Sequence, residues 1–129
     1  MAGHSDTIAD LYAAFARGDV RTVLAALAPN IRWTEAEGFP YGGTYVGPDA
    51  VMNNVFAKLG SEWNGFAAVP QELIASADTV VALGDYSGTY KVTGKSFKAP
   101  FVHVWTFRGS RVISFRQHTD TAVVQRALQ

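Results

Sequence analysis

The stretch Pro100-Phe101-Val102-His103-Val104-Trp105-Thr106-Phe107, followed after a turn by Val112-Ile113-Ser114-Phe115-Arg116-Gln117-His118-Thr119, decides the fold. Both segments are rich in β-branched and aromatic residues and alternate in character, a pattern typical of strands with one face in a core. The residues between them, Arg108-Gly109-Ser110-Arg111, have the composition of a hairpin turn. These segments therefore predict an antiparallel β-hairpin.

The alternation places the bulky residues of each strand on one side. That side carries Phe101, His103, Trp105 and Phe107 in the first strand, and Ile113, Phe115, Gln117 and Thr119 in the second. We expect this side to face the concave interior of the molecule, because burial of apolar surface stabilises the fold.

Two further strand segments precede the hairpin. Residues 73–75 and 79–92 have the same composition, and the turn Thr93-Gly94-Lys95 joins the longer of them to a strand over residues 97–107. A long antiparallel meander is therefore predicted for the second half of the chain.

Three polar side chains are predicted inside the apolar face of this sheet. His103 and Gln117 lie among aromatic residues, and Glu35 ends a short strand over residues 31–35, in which Trp33 shares its side. Polar groups inside an apolar surface need hydrogen-bond partners or water. Three such groups on one surface indicate a cavity rather than a closed core.

The first half of the chain has helical spacing. A first helix carries one apolar stripe, begins at Ser5 or Asp6 as cap, and ends at Gly18; the stripe consists of Ile8, Leu11, Tyr12 and Phe15. A second short helix is predicted from Asp19 to a stop at Pro29, with Val23, Leu24 and Leu27 on one face.

Two more helices follow from the sequence pattern. A third begins at Gly47-Pro48-Asp49 and ends at Gly60, with an apolar face of Val51, Met52, Val55, Phe56 and Leu59. A final short helix is expected over residues 120–128, with Asp120 as its cap.

Helices that precede a long meander indicate a single α+β domain spanning residues 1–129. The predicted architecture is a cone-shaped, curved antiparallel sheet, with the N-terminal helices packed on its concave face around one pocket. No internal repeat or linker interrupts it.

The composition limits the classes of function. Hydrophobic residues make up 48% of the chain and charged residues 17%, and eleven basic residues balance eleven acidic ones. This balance provides no electrostatic footprint for nucleic acid or an anionic membrane. No apolar run approaches the roughly 18 residues that span a bilayer, so a cytoplasmic protein is expected.

Metal and cofactor sites are not predicted. The chain has no cysteine, and strand alternation puts His118 on the opposite face from His103. No glycine-rich phosphate loop follows a strand, so no nucleotide cofactor is expected either.

Several local sequences resemble one family along nearly the whole chain. Besides the hairpin strands, they are Ala16-Arg17-Gly18-Asp19, Ile31-Arg32-Trp33-Thr34-Glu35 and Tyr45-Val46-Gly47-Pro48-Asp49-Ala50-Val51. In these sequences and in its order of elements, the chain resembles the superfamily named after nuclear transport factor 2. That superfamily includes SnoaL-like polyketide cyclases, ketosteroid isomerases and limonene-epoxide hydrolases, so the resemblance implies the cone fold and leaves the reaction open.

The resemblance to the ketosteroid isomerases implies roles for two residues. Glu35 matches the position of their general base, and His103 matches that of the protonated acid in their oxyanion hole. Their oxyanion tyrosine falls near Leu11, whereas Tyr12 is one position further and rotated by about 100° along the helix. A standard steroid isomerase is therefore not expected.

The resemblance to the epoxide hydrolases does not extend to their reactive residues. Their arginine and two aspartates fall near Gly84, Tyr86 and Gln117 in this chain. None of the three is retained, so epoxide hydrolysis by that set is not expected.

The predicted site combines these residues. Glu35 and His103 are the candidate catalytic pair, a desolvated carboxyl acting as acid or base and an imidazole donating to an oxyanion. The candidate ligand-binding residues are Trp33, Phe56, Trp63, Tyr86, Phe101, Trp105 and Gln117. They suit a small apolar ligand, polycyclic or terpenoid.

Other interpretations of these residues stay open. Glu35 at a strand end is as compatible with a solvated carboxylate, and His103 with a core histidine bonded to a backbone carbonyl. The whole chain fits a cofactor-independent isomerase or cyclase, a non-catalytic carrier or sensor, or an interaction domain. A homodimer is expected through the outer face of the sheet, where Val102, Val104 and Val112 are predicted to lie.

Overall fold

The computed structural model describes residues 3–129. Its strands are β1 (Leu27–Glu35), β2 (Gly43–Val46), β3 (Trp63–Ser76), β4 (Thr79–Tyr90), β5 (Ser96–Arg108) and β6 (Arg111–Thr119). They form one curved, open sheet in the order β2-β1-β6-β5-β4-β3. The predicted α+β class and the curved sheet are confirmed.

The predicted meander is present in strands β4 to β6. Arg108 pairs with Arg111 across a two-residue turn, in which Gly109 adopts a positive φ of 62° that favours glycine. Four of the five strand pairings among the described residues are antiparallel, and β1 pairs with β6 in parallel. The sheet is therefore a mixed sheet, in which the pair of β1 and β6 is the parallel one.

Strand β3 is much longer than the three residues predicted. It carries Gly65 and Pro70, which weaken a strand pattern in the sequence, and its pairing with β4 shifts register near both residues. Because β3 lies at the edge of the sheet, a proline can be accommodated there without loss of an internal ladder bond. Strand β2 is not predicted from the sequence, since its segment is short and begins at the second of two consecutive glycines.

The helices are α1 (His4–Ala16), α2 (Val20–Ala25), α3 (Pro48–Val51), α4 (Ala57–Glu62) and α5 (Thr121–Leu128), and a π-helical turn (Met52–Phe56) joins α3 to α4. α1 ends where predicted, with Gly18 at a positive φ of 77°. The predicted cap is wrong: Gly3 precedes the first turn, and Ser5 and Asp6 lie within the helix.

Two other helix ends differ from the prediction. α2 stops at Ala25, so Leu27 belongs to β1, where it pairs with Val112. The third predicted helix continues through Gly60 to Glu62, because a single glycine inside a packed helix costs only about 1 kcal/mol. At the other end of the chain, Asp120 caps α5 as predicted, accepting a bond from the backbone N–H of Val123 at 3.3 Å.

The prediction that Val112 faces outward is wrong. Thr106 pairs with Ser114 while Phe107 pairs with Val112, so Ile113 is an extra residue in β6. This bulge reverses the alternation, and Val112 becomes fully buried in the core. Val102 and Val104 remain half-buried on the outer face.

The core lies between the helices and the inner face of the sheet. Alternate residues are buried along β4 and β5, as predicted for β5, and residues of α1, α2 and the π-helical turn belong to the same core. Within residues 3–129, no helix is both long and apolar enough to cross a membrane.

Candidate functional site

A cavity opens between the helices and the inner face of the sheet. Its walls come from α1, α2, the π-helical turn, α4 and every strand except β2; the lining residues are Leu11, Tyr12, Phe15, Val23, Trp33, Glu35, Phe39, Val55, Phe56, Leu59, Phe66, Ala68, Tyr86, His103, Trp105, Phe115 and Gln117. The cavity has a volume of about 50 Å³. A single water needs roughly 10–15 Å³, so the cavity has room for a few water molecules.

Strand pairing assembles the sheet side of this cavity. Trp33 of β1 pairs with Phe115 of β6, which pairs with Trp105 of β5, so three aromatic rings form one row across three strands. Gln117 and His103 form the next row. These residues face the same side because each lies two positions from its neighbour along the strand.

Seven of the nine predicted site residues line the cavity: Trp33, Glu35, Phe56, Tyr86, His103, Trp105 and Gln117. Phe101 lies behind this wall, stacked on the His103 ring with centroids 4.0 Å apart. Trp63 is buried elsewhere in the core, packed against Phe97 at 5.2 Å. Strand alternation predicts which face a residue takes, but not how deep in the cone it lies.

Tyr12 is the main lining residue that the sequence prediction left out. The comparison with isomerases placed it one helix position away from their tyrosine. In the structure its hydroxyl lies 2.6 Å from Nδ1 of His103. The apolar stripe of α1 already contained Tyr12, so the signal was present in the periodicity.

Two other lining residues differ in how clearly the sequence pattern indicates their burial. Phe115 stood on the predicted aromatic side of its strand. Phe39 lies in the loop between β1 and β2, where no pattern indicated burial.

A buried chain of hydrogen bonds runs through the cavity wall. Trp105 Nε1 donates to the Tyr12 hydroxyl at 3.1 Å, and that hydroxyl bonds Nδ1 of His103. On the other side of the ring, Nε2 of His103 bonds the Tyr86 hydroxyl, which accepts from Gln117 Nε2 at 2.9 Å. The Gln117 amide is oriented by the backbone N–H of Ala36, which donates to Oε1 at 2.9 Å.

Counting the protons in this chain of hydrogen bonds shows which donor is left for a ligand. A neutral imidazole has one N–H and one acceptor nitrogen, so it accepts from one tyrosine and donates to the other. The tyrosine that accepts from His103 keeps its own hydroxyl proton free. Whichever tautomer is present, one phenolic O–H remains available at the cavity wall.

Burial keeps His103 neutral. Desolvation lowers the pKa of its imidazole well below the usual value, and the nearby His118 adds to this effect. Burial likewise raises the pKa of the Tyr12 and Tyr86 hydroxyls, so both remain protonated. The chain of groups is therefore a set of neutral donors and acceptors.

Glu35 is the acidic group of the cavity. It ends β1 opposite Gly43, and only 4% of its surface is exposed. Burial raises the pKa of its carboxyl to about 8, while the indole N–H of Trp33 opposes this rise. Glu35 is thus a buried carboxyl that is mostly protonated at neutral pH, rather than a solvated carboxylate.

The loop between β1 and β2 closes one end of the cavity. Phe39 lines the cavity, and Tyr41 is held from the other side, donating to Glu62 and accepting from Trp63 Nε1 at 3.0 Å. Gln125 of α5 donates to the Gly38 carbonyl. The loop is therefore anchored to two helices.

Glu35 also borders a shallow groove on the outer side of this loop. The groove is lined by Thr34, Glu35, Glu37, Gly38, Phe39, Pro40, Gly42, Gly43 and Thr44. Glu35 and Phe39 are shared with the inner cavity. Glu35 and Phe39 therefore lie where the apolar cavity and the more polar groove come close together.

The described part of the chain lacks a cluster of side chains that could bind a metal ion. Within residues 3–129, no three histidine, aspartate or glutamate side chains are grouped so as to hold a metal ion. The site offers a buried carboxyl, an imidazole between two phenols, and an amide, which together suit proton transfer and oxyanion stabilisation.

The comparisons with known proteins identify the family. A family model for the SnoaL-like domain matches residues 8–115, and the chain belongs to this family. A comparison with curated proteins finds no match to the sequence.

Solved structures agree with this assignment. A protein similar to nuclear transport factor 2 from Burkholderia thailandensis is 43% identical, with a TM-score of 0.96 over 100% of this chain and 99% of that one. TerC, co-crystallised with polyporic acid, is 25% identical, with a TM-score of 0.85 over 95% of both chains. IdmH from Streptomyces antibioticus, a putative polyketide cyclase, shares the fold at 21% identity, with a TM-score of 0.77 over 96% of both.

Proposed function

We propose that this chain is a cofactor-independent enzyme of the isomerase or cyclase type, acting by acid–base chemistry on a small apolar ligand. One observation carries the proposal: a buried carboxyl, Glu35, shares an aromatic cavity with a chain of neutral hydrogen-bonding groups centred on His103. The aromatic and apolar lining of the cavity favours a small apolar ligand with a flat ring or a terpenoid skeleton.

The proposed step is proton transfer next to a carbonyl. Ionised Glu35 removes a proton from the α-carbon, and the electron pair moves to the carbonyl oxygen. The free phenolic proton of Tyr12 or Tyr86 then stabilises the developing enolate. Protonated Glu35 returns a proton to the same carbon, which completes an exchange once the carboxyl has traded its proton with water, or to another carbon of the enolate, which completes an isomerisation. In a ring closure, the enolate carbon instead attacks a second carbonyl carbon of the ligand, and protonated Glu35 gives its proton to the resulting alkoxide.

The raised pKa of Glu35 suits this role. A catalytic acid or base is most effective when its pKa lies near the working pH. With a pKa of about 8, the carboxyl is available in both forms around neutral pH. Similar proteins support the general chemistry, since IdmH is a putative polyketide cyclase and TerC was co-crystallised with polyporic acid.

The experiment is α-proton exchange in a probe ketone. Incorporation of deuterium into 1-tetralone, followed by NMR in heavy water, should be accelerated by the wild type and lost in Glu35→Gln. The matched control is Glu72→Gln on the exposed edge strand, which should retain the wild-type rate. Equal rates in the Glu35→Gln variant and the wild type would rule out the proposed role.

A non-catalytic carrier or sensor is the second candidate. The observation in its favour is that His103 and Gln117 are already satisfied by partners within the protein. Such a network can serve as a rigid anchor without taking part in a reaction. Saturable binding of 1-tetralone, without any exchange above the buffer rate, would favour this function.

We also propose that two copies pair through the outer face of the sheet. Across three strands, Ile74 pairs with Val81 and Val81 with Val104, while Leu83 pairs with Val102. Ile74 is 49% exposed and the others are half-buried. A continuous apolar patch of this kind favours an interface, including one used by an interaction domain.

A further inference from the structure

Two buried polar atoms of the cavity have no hydrogen-bond partner among residues 3–129: Nε1 of Trp33 and Oε2 of Glu35. They belong to residues two positions apart on β1, so their side chains leave the same face of the sheet. The indole N–H is near enough to affect the carboxyl, yet the two do not meet the geometry of a hydrogen bond.

The other tryptophans show that this is unusual within the chain. Trp105 Nε1 donates to Tyr12, and Trp63 Nε1 donates to Tyr41. All three indoles are at least 96% buried. An unpaired buried donor costs about 1–3 kcal/mol, and this cost is carried at the cavity wall by Trp33 alone among the three.

Of the two unpaired atoms, Nε1 of Trp33 is set apart from the hydrogen-bond chain of His103. The Phe115 ring packs against both side chains, stacked on the Trp33 ring with centroids 3.7 Å apart and lying 4.8 Å from the His103 ring. The cavity therefore has two polar positions, with one aromatic ring packed against both and apolar walls around them.

We infer that the ligand carries two oxygen atoms on a flat ring system, one bonded to the free phenolic proton beside His103 and the other accepting from Trp33 Nε1 next to Glu35. The inference rests on the ligand cavity of the proposed function, but it does not require turnover. It narrows the ligand class to dioxygenated ring compounds, such as hydroxyketones, quinones and diphenols.

The chemistry of the second position favours oxygen over an amine. An indole N–H is a donor only, so it needs an acceptor. The carboxyl of Glu35 is mostly neutral at neutral pH and provides no fixed charge for a cation. A hydroxyl or carbonyl oxygen can accept from Trp33 and bond the carboxyl in either protonation state.

The test compares two-ring probes that differ in one oxygen atom. Affinities of the wild type for naphthalene-2,6-diol and for 6-methyl-2-naphthol are measured by titration calorimetry. The methyl compound has a similar shape and is more apolar, so burial of apolar surface alone would favour its binding over that of the diol. We expect the diol to bind about tenfold more tightly, the equivalent of one hydrogen bond of roughly 1.4 kcal/mol.

Variants then assign the preference to the indole N–H. Trp33→Phe should remove most of the preference for the diol and change the affinity for the methyl compound by less. Trp63→Phe is the control, because its indole N–H is already paired and it does not line the cavity, so the preference should persist.

Three results would overturn the inference. They are a wild-type preference for the methyl compound, the absence of binding of both probes, and an equal loss of affinity for both probes in Trp33→Phe. The wild-type comparison decides the matter even when Trp33→Phe fails to fold. Loss of 1-tetralone exchange is a separate measurement, so failure of catalysis and failure of this ligand class can be told apart.

Discussion

Burial shifts the pKa values of Glu35 and His103 in opposite directions for one reason, which is that a low-dielectric interior disfavours charge. The acid is held protonated and the base is held unprotonated. The resulting cavity is uncharged at neutral pH and still contains groups that can exchange a proton. This combination suits an apolar ligand with a carbonyl or hydroxyl oxygen.

The pKa of Glu35 makes folding stability depend on pH. Its carboxyl has a pKa of about 8 in the folded protein, against an ordinary value of 4.5 for an exposed glutamate, so the folded state binds more protons than the unfolded state between pH 4.5 and pH 8. The resulting stabilisation is complete below pH 4.5 and is lost as the pH rises towards 8. Glu35→Gln is neutral at every pH and should avoid this loss.

The measurement is thermal unfolding of both proteins at pH 5 and pH 8.5. The Tm of Glu35→Gln minus the Tm of the wild type should be larger at pH 8.5 than at pH 5. The increase should correspond to a few kcal/mol in the free energy of unfolding. A Tm difference that is the same at both pH values would contradict the pKa shift.

Tyr12 is expected to matter for stability as well as for binding. Tyr12→Phe leaves both Trp105 Nε1 and Nδ1 of His103 without their shared partner. We expect a loss of roughly 2–4 kcal/mol in the free energy of unfolding by denaturant. Tyr45→Phe removes a single bond to the Tyr41 carbonyl at the half-buried loop and should cost about 1 kcal/mol or less. Similar losses in both variants would show that the buried hydrogen-bond chain stabilises the fold no more than the single bond of Tyr45 does.

At the level of the elements, the sequence predicted what periodicity governs. The hairpin of β5 and β6, the end of α1 and the cap of α5 follow from local chemistry, and the structure confirms them. The bulge at Ile113 and the start of β3 at Trp63 follow from pairing between distant segments. A single-sequence pattern does not contain that information.

The same limit applies to the site. Alternation was sufficient to bring Glu35, His103 and Gln117 to one face. The comparison with the isomerases puts Tyr12 one helix position away from their oxyanion tyrosine. Only the packing of α1 on the sheet shows that the Tyr12 hydroxyl reaches His103. Depth within the cone, which separates Trp63 from Trp33, depends on sheet curvature.

Gly84 of β4 is a position where the sheet permits no side chain. A Cβ there would lie 2.2 Å from the Val69 carbonyl oxygen and 2.6 Å from Phe101 Cζ. We expect Gly84→Ala to destabilise the fold by about 2–4 kcal/mol, because the neighbouring backbone of β3 must move.

Gly60 in α4 is the matched control. A Cβ there would meet nothing within 4 Å, and alanine favours a helix over glycine by up to about 1 kcal/mol. Gly60→Ala should therefore leave the free energy of unfolding unchanged or increase it. Denaturation curves that rank the two variants in the opposite order would contradict the described packing of β3 on β4.

On the scale of the whole molecule, the proposed pairing of two copies is tested by light scattering after gel filtration. Val104→Lys places a charge in the centre of the outer apolar patch and should convert a dimer to a monomer. Val92→Lys is the control, because Val92 is 81% exposed in a turn away from the patch. A wild type that is monomeric at micromolar concentration would contradict the proposed interface.

The cone itself explains how one chain combines stability with a reactive interior. Its open sheet supplies aromatic walls in register, the helices close the other side, and the anchored loop beside Glu35 separates the cavity from water. Fold alone does not name a reaction. The proposed reaction therefore depends on one group, the carboxyl of Glu35.

The most direct test of that group is the pH dependence of kcat/KM for deuterium exchange into 1-tetralone. This parameter reports the ionisation of the free enzyme. For a base with a pKa of about 8, kcat/KM should rise with pH, reach half its limit near pH 8 and level off above roughly pH 9, and this profile should be lost in Glu35→Gln. A profile that is flat, or that persists in the variant, would contradict the central role of Glu35.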